Sequence, residues 1–277
     1  MALLRPSVAD KRREFHRLHG SGCFVIPNPW DPGSARFLQS LGFKALATTS
    51  AGFAWSKARP DNGVTRDMVI AHLADMVEAT DVPLNADFES GFAADAAGVA
   101  EGVRLAVEAG VAGLSIEDST GDPARPLLDL DAAVDRMRAA RRAIDANGGD
   151  TLLVGRAECF LAGRPHLDET IARLQAYSNA GADCLYAPGL RTLEQFAATV
   201  EALAPKPVNA LIGWPADMNV ADLAAVGVRR ISVGGALARC AWGGFMRASK
   251  LLADEGSFAG FKDAAAGGDL NALFIQR

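Results

Sequence analysis

The stretch VPLNADFESGF, residues 82–92, runs from apolar residues into two carboxylates, Asp87 and Glu89, just before a Ser-Gly turn. In a strand their two-residue spacing puts both on one face, because side chains alternate with period two. A third acid, Glu117, ends the run GLSIE, and a cation, Arg156, ends LLVGR. Buried anions cost free energy unless something neutralises them, and crowded carboxylates raise one another's pKa unless a cation sits among them. Two kinds of cation meet that need. An all-oxygen set without His or Cys suits a hard ion, Mg²⁺ or Mn²⁺, which keeps several waters and reaches some carboxylates through them. The other is Arg156, whose planar fork fits carboxylates: these acids, Glu158 two residues on, or a substrate carboxylate. Asp118, next to Glu117, points to the other face and reads as a helix cap or ion-pair partner.

Such side chains need a scaffold that brings separate runs to one point. Eight short apolar runs recur: CFVIPN from Cys23, FKALATTS from Phe43, PLNADFE from Pro83, GLSIED from Gly113, LLVGRAE from Leu152, CLYAPG from Cys184, VNALI from Val208 and RRISVGG from Arg229. Ala-rich, helix-length segments separate most of them. Asp31-Pro-Gly-Ser34, Ala94-Asp95 and Leu167-Asp168-Glu169-Thr170 mark helix starts. Gly42, Gly110, Gly181 and Gly227 stand where a left-handed residue closes a helix. Alternating strands and helices imply a parallel sheet with right-handed crossovers. Eight units in 277 residues imply a closed (β/α)₈ barrel, an α/β TIM-type fold with its chemistry at the C-terminal strand ends. The alternative, an open doubly wound sheet, lacks its GxGxxG signature; NPWDPGS follows the first strand instead. The reading is one barrel domain over residues 1–277, with an N-terminal helix at about 8–19 and a helical tail at about 244–277. Phe245, Leu251, Leu252 and Phe261 in that tail would cover the barrel or dock on another subunit.

The remaining strand ends supply Asn28 and Trp30, Thr48 and Thr49, Tyr186, Asn209 and Ser232. Ser50-Ala51-Gly52 offers backbone N–H groups that can cradle an anion, or forms a tight turn. None of His16, His19, His72 and His166 falls at a strand end, which speaks against a His general base. The net charge is −5, and no basic stripe with aromatics appears, so a nucleic-acid partner is not expected. Lys11-Arg12-Arg13 and Arg138, Arg141 and Arg142 read as solvated helix faces. Cys23, Cys159, Cys184 and Cys240 form no CxxC pair and read as buried, reduced thiols. No run is long enough to cross a membrane, and the first residues lack the apolar core of a signal peptide. The expectation is a soluble cytoplasmic protein.

Taken in order, NPWDPGSAR, TTSAG, VPLNADFESGF, SIED and GRAE resemble the isocitrate lyase/phosphoenolpyruvate mutase superfamily, over about residues 20–245. The resemblance implies an (α/β)₈ barrel whose eighth helix is swapped between paired subunits, in homodimers often assembled into homotetramers. It implies Mg²⁺ near Asp87, Glu89 and Glu117, and an oxyanion pocket for a 2-oxo carboxylate at Ser50-Ala51-Gly52. Arg156 matches the family's strand-five Arg. Asp61 is the nearest match to an acid on the loop after strand two, and Asn209 fits a polar position on strand seven. Trp30 joins the substrate-binding set, and Asp61, Glu117 and Arg156 the catalytic one.

This chain also departs from the family. Members usually carry Asp-x-Asp where Asp87-x-Glu89 stands. The lyases that cleave isocitrate or methylisocitrate have a Lys-Lys/Arg-Cys-Gly loop after strand four, its Cys a general acid; here residues 119–130 read STGDPARPLLDL, with no Cys, no Lys and Arg125 as the lone cation. The Lys/Asn loop of the mutases and phosphonopyruvate hydrolases is missing too. The remaining core can stabilise a pyruvate enolate formed when R–CH₂–CO–COO⁻ loses R. The leading expectation is C–C cleavage of a small 2-oxo acid, specifically oxaloacetate decarboxylation. The alternatives are P–C chemistry on phosphonopyruvate, with Lys57, Arg59 and Arg125 as phosphonate contacts, and a non-catalytic 2-oxo acid binder.

Overall fold

Eight strands form one parallel sheet in the order β1-β8-β7-β6-β5-β4-β3-β2. They are β1 (Phe24–Ile26), β2 (Leu46–Ala47), β3 (Leu84–Asp87), β4 (Gly113–Glu117), β5 (Leu152–Arg156), β6 (Cys184–Tyr186), β7 (Val208–Leu211) and β8 (Arg230–Ser232). Each lies inside one of the eight apolar runs. The sheet closes between its ends, where the Ala47 N–H donates to the Pro27 carbonyl at 3.1 Å. The protein is thus a (β/α)₈ barrel; the computed structural model describes residues 5–275.

Helices α1 (Val8–Gly20), α2 (Pro32–Ser40), α3 (Ser50–Ser56), α4 (Arg66–Ala79), α5 (Ala96–Glu108) and α6 (Leu130–Ala146) lie in the first half. In the second are α7 (Leu167–Asn179), α8 (Leu193–Leu203), α9 (Val220–Ala225), α10 (Ala236–Glu255) and α11 (Gly267–Ile275). Asp31 and Asp95 cap α2 and α5, accepting from the Ser34 and Gly98 amides at 2.7 and 2.8 Å. Gly42, Gly110, Gly181 and Gly227 have φ of +89°, +93°, +105° and +88°, the left-handed conformation anticipated for them.

Helix α1 plugs the N-terminal end of the barrel. Its Phe15 and Leu18 pack with Ile26, Ala45, Ala47, Ala112 and Leu152. Gly113 makes room for this plug: a Cβ there would lie 2.6 Å from the Phe15 ring. Lys11 and Arg12 are not on a solvated face; both are buried. Lys11 Nζ donates to the Val77 and Thr80 carbonyls, and Arg12 to those of Val107 and Val111, with Asp150 at 2.9 Å. Val77 and Val107 lie in the last turns of α4 and α5, where carbonyls lack helical partners and favour cations. Arg141 also pairs inward, with Asp183 at 3.1 Å.

Two further expectations change. The C-terminal helix does not begin near Gly244, because α10 runs unbroken from Ala236. Of the four free thiols, Cys159 and Cys184 are buried, whereas Cys23 is half-buried and Cys240 exposed on α10. Among the described residues no helix is long and apolar enough to cross a membrane.

Candidate active site

At the C-terminal end of β3, Asp87 is fixed from several directions. Its N–H donates to Thr48 Oγ1 at 2.8 Å, and its Oδ2 accepts from the Ser50 N–H and hydroxyl at 2.9 and 2.8 Å. Its Oδ1 accepts from Arg156 Nη1 at 3.2 Å. Glu117 Oε2 lies 3.1 Å from the same nitrogen, and Glu158 takes the Nε of Arg156. The β4–β5 register pairs Glu117 with Arg156, and β5–β6 pairs Arg156 with Tyr186, whose ring centroid lies 5.1 Å from the guanidinium carbon. Burial alone would weaken the Arg156 charge; Glu117, Glu158 and Asp87 outweigh it and hold the guanidinium above its ordinary pKa. Burial raises the Glu117 and Glu158 carboxyls, and Arg156 opposes that rise.

Arg156 therefore stands where Asp87 and Glu117 converge. Among the described residues, no group of three His, Cys, Asp or Glu side chains is close enough to hold a metal ion. Glu89 stands apart from the Arg156 cluster. It has φ of +47°, and its buried Oε1 has no hydrogen-bond partner. Burial, and then Asp87 and Asp61, push its carboxyl up to about 8. A buried carboxylate oxygen without a donor, beside two further acids, is a donor set whose chemistry suits a hard cation. Asp118 faces the other way, as expected. It accepts from Tyr177 Oη at 2.6 Å and the Glu158 N–H at 2.8 Å, and pairs with Arg173 at 3.1 Å.

A cavity of about 150 Å³ opens at this end of the barrel, a volume that accommodates a benzene-sized molecule. Of the site residues expected from sequence, Ser50, Ala51, Asp61, Asp87 and Arg156 line it. Trp30, Gly52, Glu89, Glu117 and Asn209 do not. Trp30 packs behind α3, where a Cβ on Gly52 would lie 2.9 Å from the Trp30 Cβ. The anticipated cradle is also partly used: the Ser50 amide serves Asp87, and the Gly52 amide serves the N-cap Thr49 at 3.2 Å. Asp61 lies at the rim, its carboxyl raised by burial and by the Asp87 charge. Asn209 is buried, its Oδ1 accepting from Arg230 Nε at 2.8 Å and its Nδ2 donating to Ser232 Oγ at 2.9 Å.

The cavity floor holds residues that the sequence reading did not single out: Asn85, Ser115 and Arg230. Barrel interiors are mostly filled with branched apolar side chains, so a charge at this depth is unusual. A signal was present, since Arg230 and Ser232 share strand parity, but attention to the last residue of each run passed over it.

The sequence profile described as phosphoenolpyruvate phosphomutase matches residues 15–253. Oxaloacetate decarboxylase of Paraburkholderia xenovorans is 32% identical over 216 residues, 73% of this chain and 68% of the relative. A Burkholderia cenocepacia J2315 structure, described as a candidate lyase/mutase, superposes with a TM-score of 0.94 at 47% identity over 97% of each chain. Oxaloacetate acetylhydrolase in complex with its product oxalate superposes at 0.84 with 26% identity, over 95% of this chain and 93% of that one. The chain belongs to the isocitrate lyase/phosphoenolpyruvate mutase superfamily. It is an enzyme of that superfamily's carbon–carbon lyase class.

Proposed function

We propose that this enzyme cleaves a C–C bond in a small 2-oxo acid, with oxaloacetate decarboxylation as its reaction. The observation that carries this reading is the small polar cavity at the strand ends, where Asp87 and Arg156 meet beneath Ser50 and Ala51. The similarity to oxaloacetate decarboxylase supports it. A specific point favours C–C over P–C chemistry: Lys57, Arg59 and Arg125 are exposed and do not line the cavity, so no basic phosphonate pocket forms from them.

Asp87 and Glu89 would hold Mg²⁺ directly and Glu117 through water, since this ion keeps several waters and takes few protein ligands. When bound, that ion supplies Lewis-acid stabilisation of the negative charge that develops on the 2-oxo oxygen. The protein's own groups position the substrate and move the proton. Arg156 fixes Asp87 and Glu117, and Ser50 fixes Asp87 from the other side. Loss of CO₂ from oxaloacetate leaves its electron pair on C3, delocalised onto the C2 oxygen. Asp61, the acid at the cavity rim, delivers a proton to C3 as general acid and completes pyruvate.

The protein acts as a homodimer or homotetramer. Trp242, Phe245, Met246 and Leu252 of α10 are exposed at 40, 62, 50 and 40%, and the spacing of the first three puts them on one helix face. An apolar face of this kind marks a contact surface.

The test is a Mg²⁺-dependent pyruvate-release assay on oxaloacetate, phosphonopyruvate and methylisocitrate in parallel. Turnover of oxaloacetate alone is expected. Turnover of phosphonopyruvate instead would establish P–C chemistry. Silence on all three, with a 2-oxo acid still bound in calorimetry, would indicate a binder without catalysis. Asp87→Ala should lose both Mg²⁺ binding and activity; a variant that binds Mg²⁺ like wild type would refute the metal assignment.

A further inference from the structure

Two guanidinium groups border the cavity, and their surroundings differ. Arg156 is ringed by Asp87, Glu117 and Glu158. Arg230 is 2% exposed, and among the described residues no carboxylate pairs with it. Its Nε donates to Asn209 Oδ1 at 2.8 Å, and its Nη1 to Asn85 Oδ1 at 3.2 Å, with His19 Nε2 at 3.5 Å. Two partners are amides; the third is an imidazole kept neutral, since burial pulls His19 down to about 3. A buried charge without a counter-charge is costly, and an arginine cannot escape by losing its proton.

The fork carries five N–H donors, and no hydrogen bond among the described residues engages Nη2. Ser232, on the same strand, accepts from Asn209 and keeps its O–H to donate. Arg230, Asn85, Ser115 and Ser232 together line the cavity floor. An anion entering the cavity meets an Arg156 already offset by three acids and an Arg230 offset by none.

We infer that Arg230 binds a carboxylate of the substrate at the cavity floor, with the Ser232 hydroxyl as a second donor. This rests on reading the cavity as a 2-oxo acid site, and it names the preferred substrate class as 2-oxo dicarboxylates. One acid group is held at Arg230, leaving the rest of the molecule to the Ser50–Ala51 and Asp87 end.

The test needs no turnover. Melting temperature is followed for the EDTA-treated protein as gluconate, too bulky for the cavity, is replaced by nitrate or acetate at constant ionic strength. A saturable rise is expected in wild type. Arg230→Met should weaken the apparent anion affinity roughly tenfold to a hundredfold, the range for a hydrogen bond to a charged group. Arg230→Lys should keep part of the response. No saturable rise in wild type, or an unchanged response in Arg230→Met, overturns the site. Should Arg230→Met fail to fold, the wild-type anion series and Arg230→Lys still decide. Calorimetry of oxaloacetate binding with and without saturating nitrate then separates the two sources of the anion. Competition supports the substrate assignment; independent binding leaves a free-anion site and overturns it. If the pyruvate-release assay fails while nitrate still responds to Arg230, the cleavage reaction is wrong and the anion site stands.

Discussion

Arg156 holds Asp87 and Glu117 at 3.2 and 3.1 Å through one nitrogen, so each acid is oriented before any ligand arrives. Such preorganisation is worth more than the pair's net stability, because buried ion pairs roughly offset their own desolvation. His72 shows the opposite case, a polar group buried without compensation. It stacks on Phe53 with ring centroids 3.9 Å apart, and its buried Nε2 has no partner. Burial pulls its pKa from 6.5 to about 4. Between those values the unfolded chain binds more protons than the folded one, so stability falls as pH drops through that window. The loss is on the order of 3 kcal/mol by the lower end. His72→Phe should flatten the decline in melting temperature over this range; a variant whose melting temperature tracks wild type would show that His72 is not the group responsible.

At the scale of elements, the turn into α3 does most to shape the cavity. Thr49 caps the helix, Ser50 ties it to β3, and Gly52 lets Trp30 and α10 close against it. A Cβ at Gly52 would stand 2.7 Å from Thr49 Cγ2 and 3.1 Å from Ala238 Cβ. Gly52→Ala should therefore lower the melting temperature and raise KM for the substrate, although Ala is intrinsically the better helix former by about 1 kcal/mol. An unchanged KM would show that α3 does not set the cavity wall. The loop after β4 is bonded to itself. Ser119 bridges Leu127, and the Thr120 N–H donates to the Pro126 carbonyl at 3.0 Å, with Arg125 exposed. None of the loop residues 119–130 lines the cavity.

Across the whole molecule, the barrel's polar interior and the apolar α10 face are the features that a core-forming fold does not need. Ala238 is the sole buried residue among the twenty of α10, so that helix contributes little to its own barrel. If α10 carries the proposed subunit contact, Phe245→Arg should give a smaller species than wild type in light scattering, with the melting temperature falling alongside. A charged Phe245 variant of wild-type mass would place the subunit contact elsewhere.

By itself the sequence determined the strand and helix alternation, the eight-unit closure and the carboxyl-end addresses of Asp87, Glu117 and Arg156. These follow from local periodicity and from caps such as Asp31 and Gly110, which act within a few residues. Tertiary structure alone decided which charges meet and which do not. Arg156 lies between Asp87 and Glu117 because the β4–β5 register sets Glu117 beside it. Lys11 and Arg12 are buried because α1 docks against the ends of α4 and α5. Asn209 turned out to support Arg230 rather than line the cavity, because the two sit side by side in the β7–β8 register. Depth within a barrel and neighbours across strands more than twenty residues apart depend on strand register and packing, which one-dimensional spacing does not encode.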